Sequence, residues 1–237
     1  MLSWFRRRRA KTPAPTITPR SETSAAVRVE LAELTPPPEV FLGRLGYAQL
    51  VLFENLSRAV AAAPRTADKS SLSRAAAELL AGHQSVRELL EELGADPDEA
   101  MEPFQRDLDD FQRRTQGADW YEVLVTCYLT TGFLADFFAG LAGGLPDRYR
   151  DRALAAIQVS QGEELLVELL RAGIEGSPRL SSRLALWGRR LVGDTMLIAR
   201  RALEIDGALP GEERTEPVFS ELVGAHTRRM DALGLTA

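Results

Sequence analysis

Three long stretches of this chain carry their apolar residues at alternating steps of three and four, and that spacing decides most of what the chain can fold into. In the first, Leu42, Leu45, Gln49, Leu52, Leu56, Ala59 and Ala63 follow it, and in the second Leu72, Ala76, Leu79, His83, Val86, Leu90 and Leu93. In the third the series is Trp120, Leu124, Cys127, Thr131, Leu134, Phe138 and Leu141. Steps of three and four return to one face of a 3.6-residue helix, so each series predicts a buried seam. No stretch alternates in twos long enough to compete as a strand. The third stretch is apolar around most of its circumference, which argues for a helix packed on several sides within a bundle.

Punctuation sets the limits. "TPPP" opens the first helix and Pro64 stops it; "DKSSLS" supplies serine caps for the second, which ends at Gly94. A short helix is expected around "FQRDLDDFQRRT", and the third long one is stopped by Gly143, Gly144 and Pro146. A fourth is expected from Asp147 to Gly173, a fifth from about Pro178 to Ile205, and a sixth from about Glu216 to Leu233.

The 237 residues suffice for one sizeable core, and 29 basic against 34 acidic side chains argue against a nucleic-acid electrostatic trap. The single cysteine, Cys127, excludes an internal disulfide and fits a cytoplasmic setting. Residues 1–37 read as a basic, proline-containing N-terminal arm, expected to be largely disordered, and 38–237 as the helical domain. In the arm Trp4, Phe5 and Arg6 to Arg9 are followed by Pro, Thr and Ala where a secretory signal would be apolar. No later stretch reaches the roughly 20 uninterrupted apolar residues of a membrane span.

Buried bundles can carry carboxylate-bridged dimetal sites, built from one Glu on each of two helices and a Glu-x-x-His pair on each of the other two. The three-residue step keeps both side chains of a pair on one helix face. Against that template Glu54, Glu122 and Glu163 interrupt apolar runs on successive helices, and His83 occupies a seam position. A buried carboxylate needs a partner, which makes the four together worth attention.

Other motifs read as packing. In "RLALWGRRLVGD" Gly188 and Gly193 beside Trp187 and Leu191 suggest close helix contact, with Arg189, Arg190, Arg200 and Arg201 paired at the rim. His226 is expected to be a surface or cap residue, and Cys127 an inert small hydrophobe.

The segments "AMEPF", "DWYEVLV", "ADFF" and above all "RLALWGRRLVGD" make residues 38 to 206 resemble actinobacterial ferritin-like proteins of the MiaE-like group, similar to a diiron tRNA hydroxylase. The resemblance implies an all-α, ferritin-like four-helix bundle with additional C-terminal helices. Carried onto that family's ligand pattern, Glu54 and Glu122 match the single carboxylates. His83 is kept in "LAGH", but Leu80 stands where its paired carboxylate belongs, and in "SQGE" Ser160 takes the carboxylate position and Glu163 the histidine position. Glu78 cannot replace Leu80, because five residues of helix turn it about 140 degrees away from His83.

The two lost positions are the bridging ones, so Glu54, His83, Glu122 and Glu163 are expected to be vestigial. The expected state is a metal-free core in which protonated His83 pairs with Glu54 or Glu163. The alternatives are one loosely ligated ion, or a working dimetal site built from other residues. The function expected is non-catalytic: a bundle without cofactor that binds a protein partner or a small apolar ligand. The alternative is a diiron monooxygenase, with iron as cofactor and a modified tRNA nucleoside as substrate. A homodimer through the fifth and sixth helices is compatible with either.

Overall fold

The computed structural model describes residues 30–158, 160–203 and 212–236, with the side chains of 160, 161 and 212–214 set aside; most of the N-terminal arm lies outside the described residues. Helix α1 (Pro38–Ala62) starts on a proline at its first position, where the missing N–H costs nothing. It runs against α2 (Thr66–Glu92), and every seam position of both is buried except Leu93, which is half-buried. The serines of "DKSSLS" lie inside α2, which begins a turn earlier than the sequence suggests; Arg65 precedes it and makes a bidentate pair with Asp68 at 2.8 and 2.7 Å.

Helix α3 (Pro97–Arg114) is longer than expected, because Asp96 accepts from the amides of Asp98 and Glu99 and so starts it before "FQRDLDDFQRRT". It crosses α1 at Gly43 and Gly46, and a Cβ at Gly43 would run into the Ala100 carbonyl. Helix α4 (Trp120–Ala142) is the centre of the molecule, packed on α1 and on most of the later elements. It is also long and apolar enough to cross a membrane by length and composition, but two-thirds of that window is buried inside the fold.

The expected fourth helix is two helices, α5 (Asp147–Ile157) and α6 (Ser160–Ile174). At the break the side-chain amide of Gln49 donates to the Ala156 carbonyl at 2.5 Å and satisfies a group that a continuous helix would use internally. Gln158 is correspondingly extended, at φ −73° and ψ 124°. Together α1, α2, α4 and the α5–α6 pair form the four-helix bundle.

Helices α7 (Pro178–Ala202) and α8 (Glu212–Ala232) pack on α4 and on each other. Trp187 of α7 donates to the Thr126 hydroxyl at 2.8 Å. Three of the four arginines expected at the rim of α7 take polar partners, Arg189 the Thr236 carbonyl, Arg190 Asp194 and Arg201 Asp107, while Arg200 lies over the Phe219 ring, as Arg190 does over Trp187. Gly188 is a close approach, since a Cβ there would press on Met230, whereas Gly193 faces open space and needs no such explanation. A short 3-10 turn, Leu31–Leu34, which the sequence reading places in the arm, packs on the end of α4, where Thr35 donates to the Leu141 carbonyl.

Candidate functional site

The sequence-selected carboxylates and His83 each take a separate partner. Glu54 is half-exposed, accepts from Gln112 at 3.0 Å and lies 3.8 Å from Arg58 one helical turn on. His83 is buried, and its Nδ1 donates to the Gly46 carbonyl of α1 at 2.9 Å. A carbonyl only accepts, so this contact puts a proton on Nδ1. The expected pairing of His83 with Glu54 or Glu163 is therefore replaced by a main-chain bond.

Glu122 is buried because it caps a helix. Asp119 accepts from the Glu122 amide at 3.0 Å, and the Glu122 carboxylate reaches back to the Ala118 amide at 2.8 Å. This reciprocal arrangement is a form of the capping box, and Arg183 stands 3.5 Å from the other carboxylate oxygen. The sequence signal was present as Asp119-x-x-Glu122 before an apolar run.

Glu163 is half-exposed on α6 and faces Arg229 of α8 at 3.9 Å. Leu80 is half-buried, and the Ser160 side chain lies outside the described residues. Glu78 reaches the start of α6, where it accepts from the Gly162 amide at 3.4 Å. Among the described residues no group of three or more His, Cys, Asp or Glu is placed to hold a metal ion.

A different feature brings the bundle helices together. A cavity of about 290 Å³ is walled by Leu56 of α1, Leu79 of α2, Leu154 and Ile157 of α5 and Leu166 of α6, with Cys127, Tyr128, Thr131 and Ala135 from α4. It is about twice the ~150 Å³ of an apolar cavity that binds benzene. The Cys127 thiol is buried in its wall, and burial pushes its pKa up to about 12, so it is a neutral apolar surface there. Burial and the nearby Glu163 charge raise Tyr128 as well, leaving a phenol.

The polar groups of the cavity come from three helices. Arg229 of α8 donates to Asp136 of α4 at 2.8 Å, with Glu163 on its other side. Its chain lies across Gly132, where a Cβ would overlap the guanidinium stem. Burial works against the Arg229 charge, but the Asp136 hydrogen bond and the charges of Asp136 and Glu163 outweigh it and raise its pKa. Sequence reasoning missed Arg229, which lies beyond the bundle template; the signal for it is Gly132, a glycine inside an apolar helix that marks a close approach.

His226, one turn before Met230 on α8, is 2% exposed and donates from Nε2 to the Gly188 carbonyl at 3.0 Å. The expectation of a surface or cap residue is thereby overturned: α8 docks on the glycine gap of α7 and takes His226 into the interior. Burial lowers its pKa most; the Gly188 bond works in the other direction, and the Arg229 charge adds to the lowering.

A protein-family model described as Ferritin-like domain, actinomycetes, matches residues 39–210. No curated protein matches the chain at a significant level.

Proposed function

Because the chain belongs to the actinomycete ferritin-like domain family, we propose that it uses the bundle as a binding scaffold, holding a small apolar ligand in the cavity between α1, α2, α4 and the α5–α6 pair. The observation that carries this reading is the cavity itself, about 290 Å³ and walled by side chains from each of those elements. The space opens to solvent at Glu163 and is mostly apolar within, the form that a small-molecule binding cleft takes.

Among the described residues, the side chains at the expected ligand positions do not fit a dimetal centre. Glu54 is committed to Gln112 at the surface, Glu122 to the start of α4 and His83 to the Gly46 carbonyl. Leu80 has no electron pair to offer in a bridging position. A metal-independent binding role in the cytoplasm is consistent with these commitments and with a neutral, buried Cys127.

Titration with a neutral solvatochromic dye such as Nile red tests the reading. Saturable binding of one dye per chain is expected, and Ala135→Phe, which fills the cavity, is expected to weaken it at least tenfold. Absence of saturable binding would sink the proposal. The alternative, an iron-dependent hydroxylase of a tRNA nucleoside, is addressed by metal analysis after iron-supplemented expression. About two irons per chain with a diferric absorption band, or altered tRNA nucleosides in a strain lacking the protein, would establish it instead.

A further inference from the structure

The charges at the cavity do not cancel, and this bears on the ligand's head group. Among the described residues, Asp136, Glu163 and Arg229 are the charged side chains that line it, two carboxylates against one guanidinium. Arg229 is not available to a ligand in the way a free arginine would be. Its side chain is 16% exposed, one nitrogen is held by Asp136 at 2.8 Å, and its stem is wedged over Gly132. Its Nε is buried with no hydrogen-bond partner, and it faces Glu163 at 3.9 Å. An anion brought to Nε would have to enter beside that carboxylate and beside Asp136.

Glu163 is in the opposite situation. Half of its side chain is exposed, and Arg229 stands beyond hydrogen-bond length, so a carboxylate edge is presented where the cavity meets solvent. Arg171, whose charge also reaches Tyr128, does not line the cavity and is held by the Ala232 carbonyl at 2.9 Å. Opposite charges attract most where water is partly excluded, and like charges repel most there too.

Resting on the binding reading above, we propose that the cavity selects amphiphiles by head-group charge: an apolar body inside, a cationic ammonium head at the exposed edge of Glu163, and carboxylate heads refused. On the order of ten carbons would fill a cavity of this size.

The test is a tail-matched series, decylammonium, decanol and decanoate, each below its micellar concentration and each displacing Nile red from the full chain. Decylammonium is expected to displace the dye at a concentration at least tenfold lower than decanoate, with decanol between them. Glu163→Gln, at a half-exposed position that does not threaten folding, is expected to shrink that ratio to about threefold or less. Equal displacement by the amine and the acid, tighter displacement by the acid, or a ratio unmoved in Glu163→Gln would overturn the charge selection while leaving the cavity a binding site. Failure of the dye to bind at all would overturn the binding reading and this one with it.

Discussion

The Nδ1 of His83 donates to the main-chain carbonyl of Gly46 at 2.9 Å, tying the middle of α2 to the middle of α1. A histidine that looks like half of a metal-ligand pair is thereby accounted for as a buried hydrogen-bond donor. The glycine matters because α1 presents no Cβ there, and Val86 and Met101 close around the gap.

Replacing His83 with Ala is expected to lower stability by about 2–3 kcal/mol, through a lost hydrogen bond and the cavity left between two helices. Urea denaturation measures it. Metal content after purification is expected to be the same in the variant and the parent; iron bound by the parent and lost from His83→Ala would contradict the structural role.

Glu122 is expected to behave as a cap. Glu122→Ala should cost about 1 kcal/mol, the usual worth of such a contact, and Glu122→Gln less, because an amide oxygen can still accept from the Ala118 amide. Thermal unfolding of the three proteins gives the order directly. An unchanged midpoint for Glu122→Ala would show that the cap contributes nothing.

Gly82, next to His83, is where the Gln49–Ala156 bond passes across α2. A Cβ at residue 82 would stand 2.5 Å from the Ala156 carbonyl oxygen and 2.6 Å from Gln49 Nε2. Gly82→Ala improves intrinsic helix propensity and is nonetheless expected to destabilise by about 1–3 kcal/mol through overpacking. A stabilised Gly82→Ala protein would mean that the helices part easily at this crossing.

His226 gives the protein a pH dependence of definite sign. Its folded pKa is depressed below 6.5, so above about pH 6.5 it is neutral in both states and its stabilising contacts are fully present. As the pH falls below 6.5 the unfolded chain takes up the proton first and stability declines, by at most about 1.4 kcal/mol per pH unit. Urea midpoints between pH 7.5 and 5.5 follow this, and His226→Gln is expected to flatten the curve. An equally steep decline in the variant would assign the dependence to other groups.

The seams were legible in the sequence because a helix's geometry is local. Residues three and four apart share a face whatever the rest of the chain does, and the apolar series from Leu42, Leu72 and Trp120 did mark the buried faces. The break at Gln158 was not legible, because the partner that takes up the freed Ala156 carbonyl is Gln49, 107 positions away. The same holds for Arg229 over Gly132 and for His226 on Gly188, contacts that depend on where α8 settles.

By itself, then, the sequence determined the all-α class and the helix faces that had to be buried, and of the two glycines it marked for close helix contact only Gly188 makes one. Only the tertiary structure decided what each polar group on those faces bonds to. A buried donor takes whichever acceptor the rotation and offset of the neighbouring helix bring within about 3 Å, and no spacing along one helix encodes that offset. For His83 that acceptor is a backbone carbonyl, and for Glu122 a backbone amide is the donor.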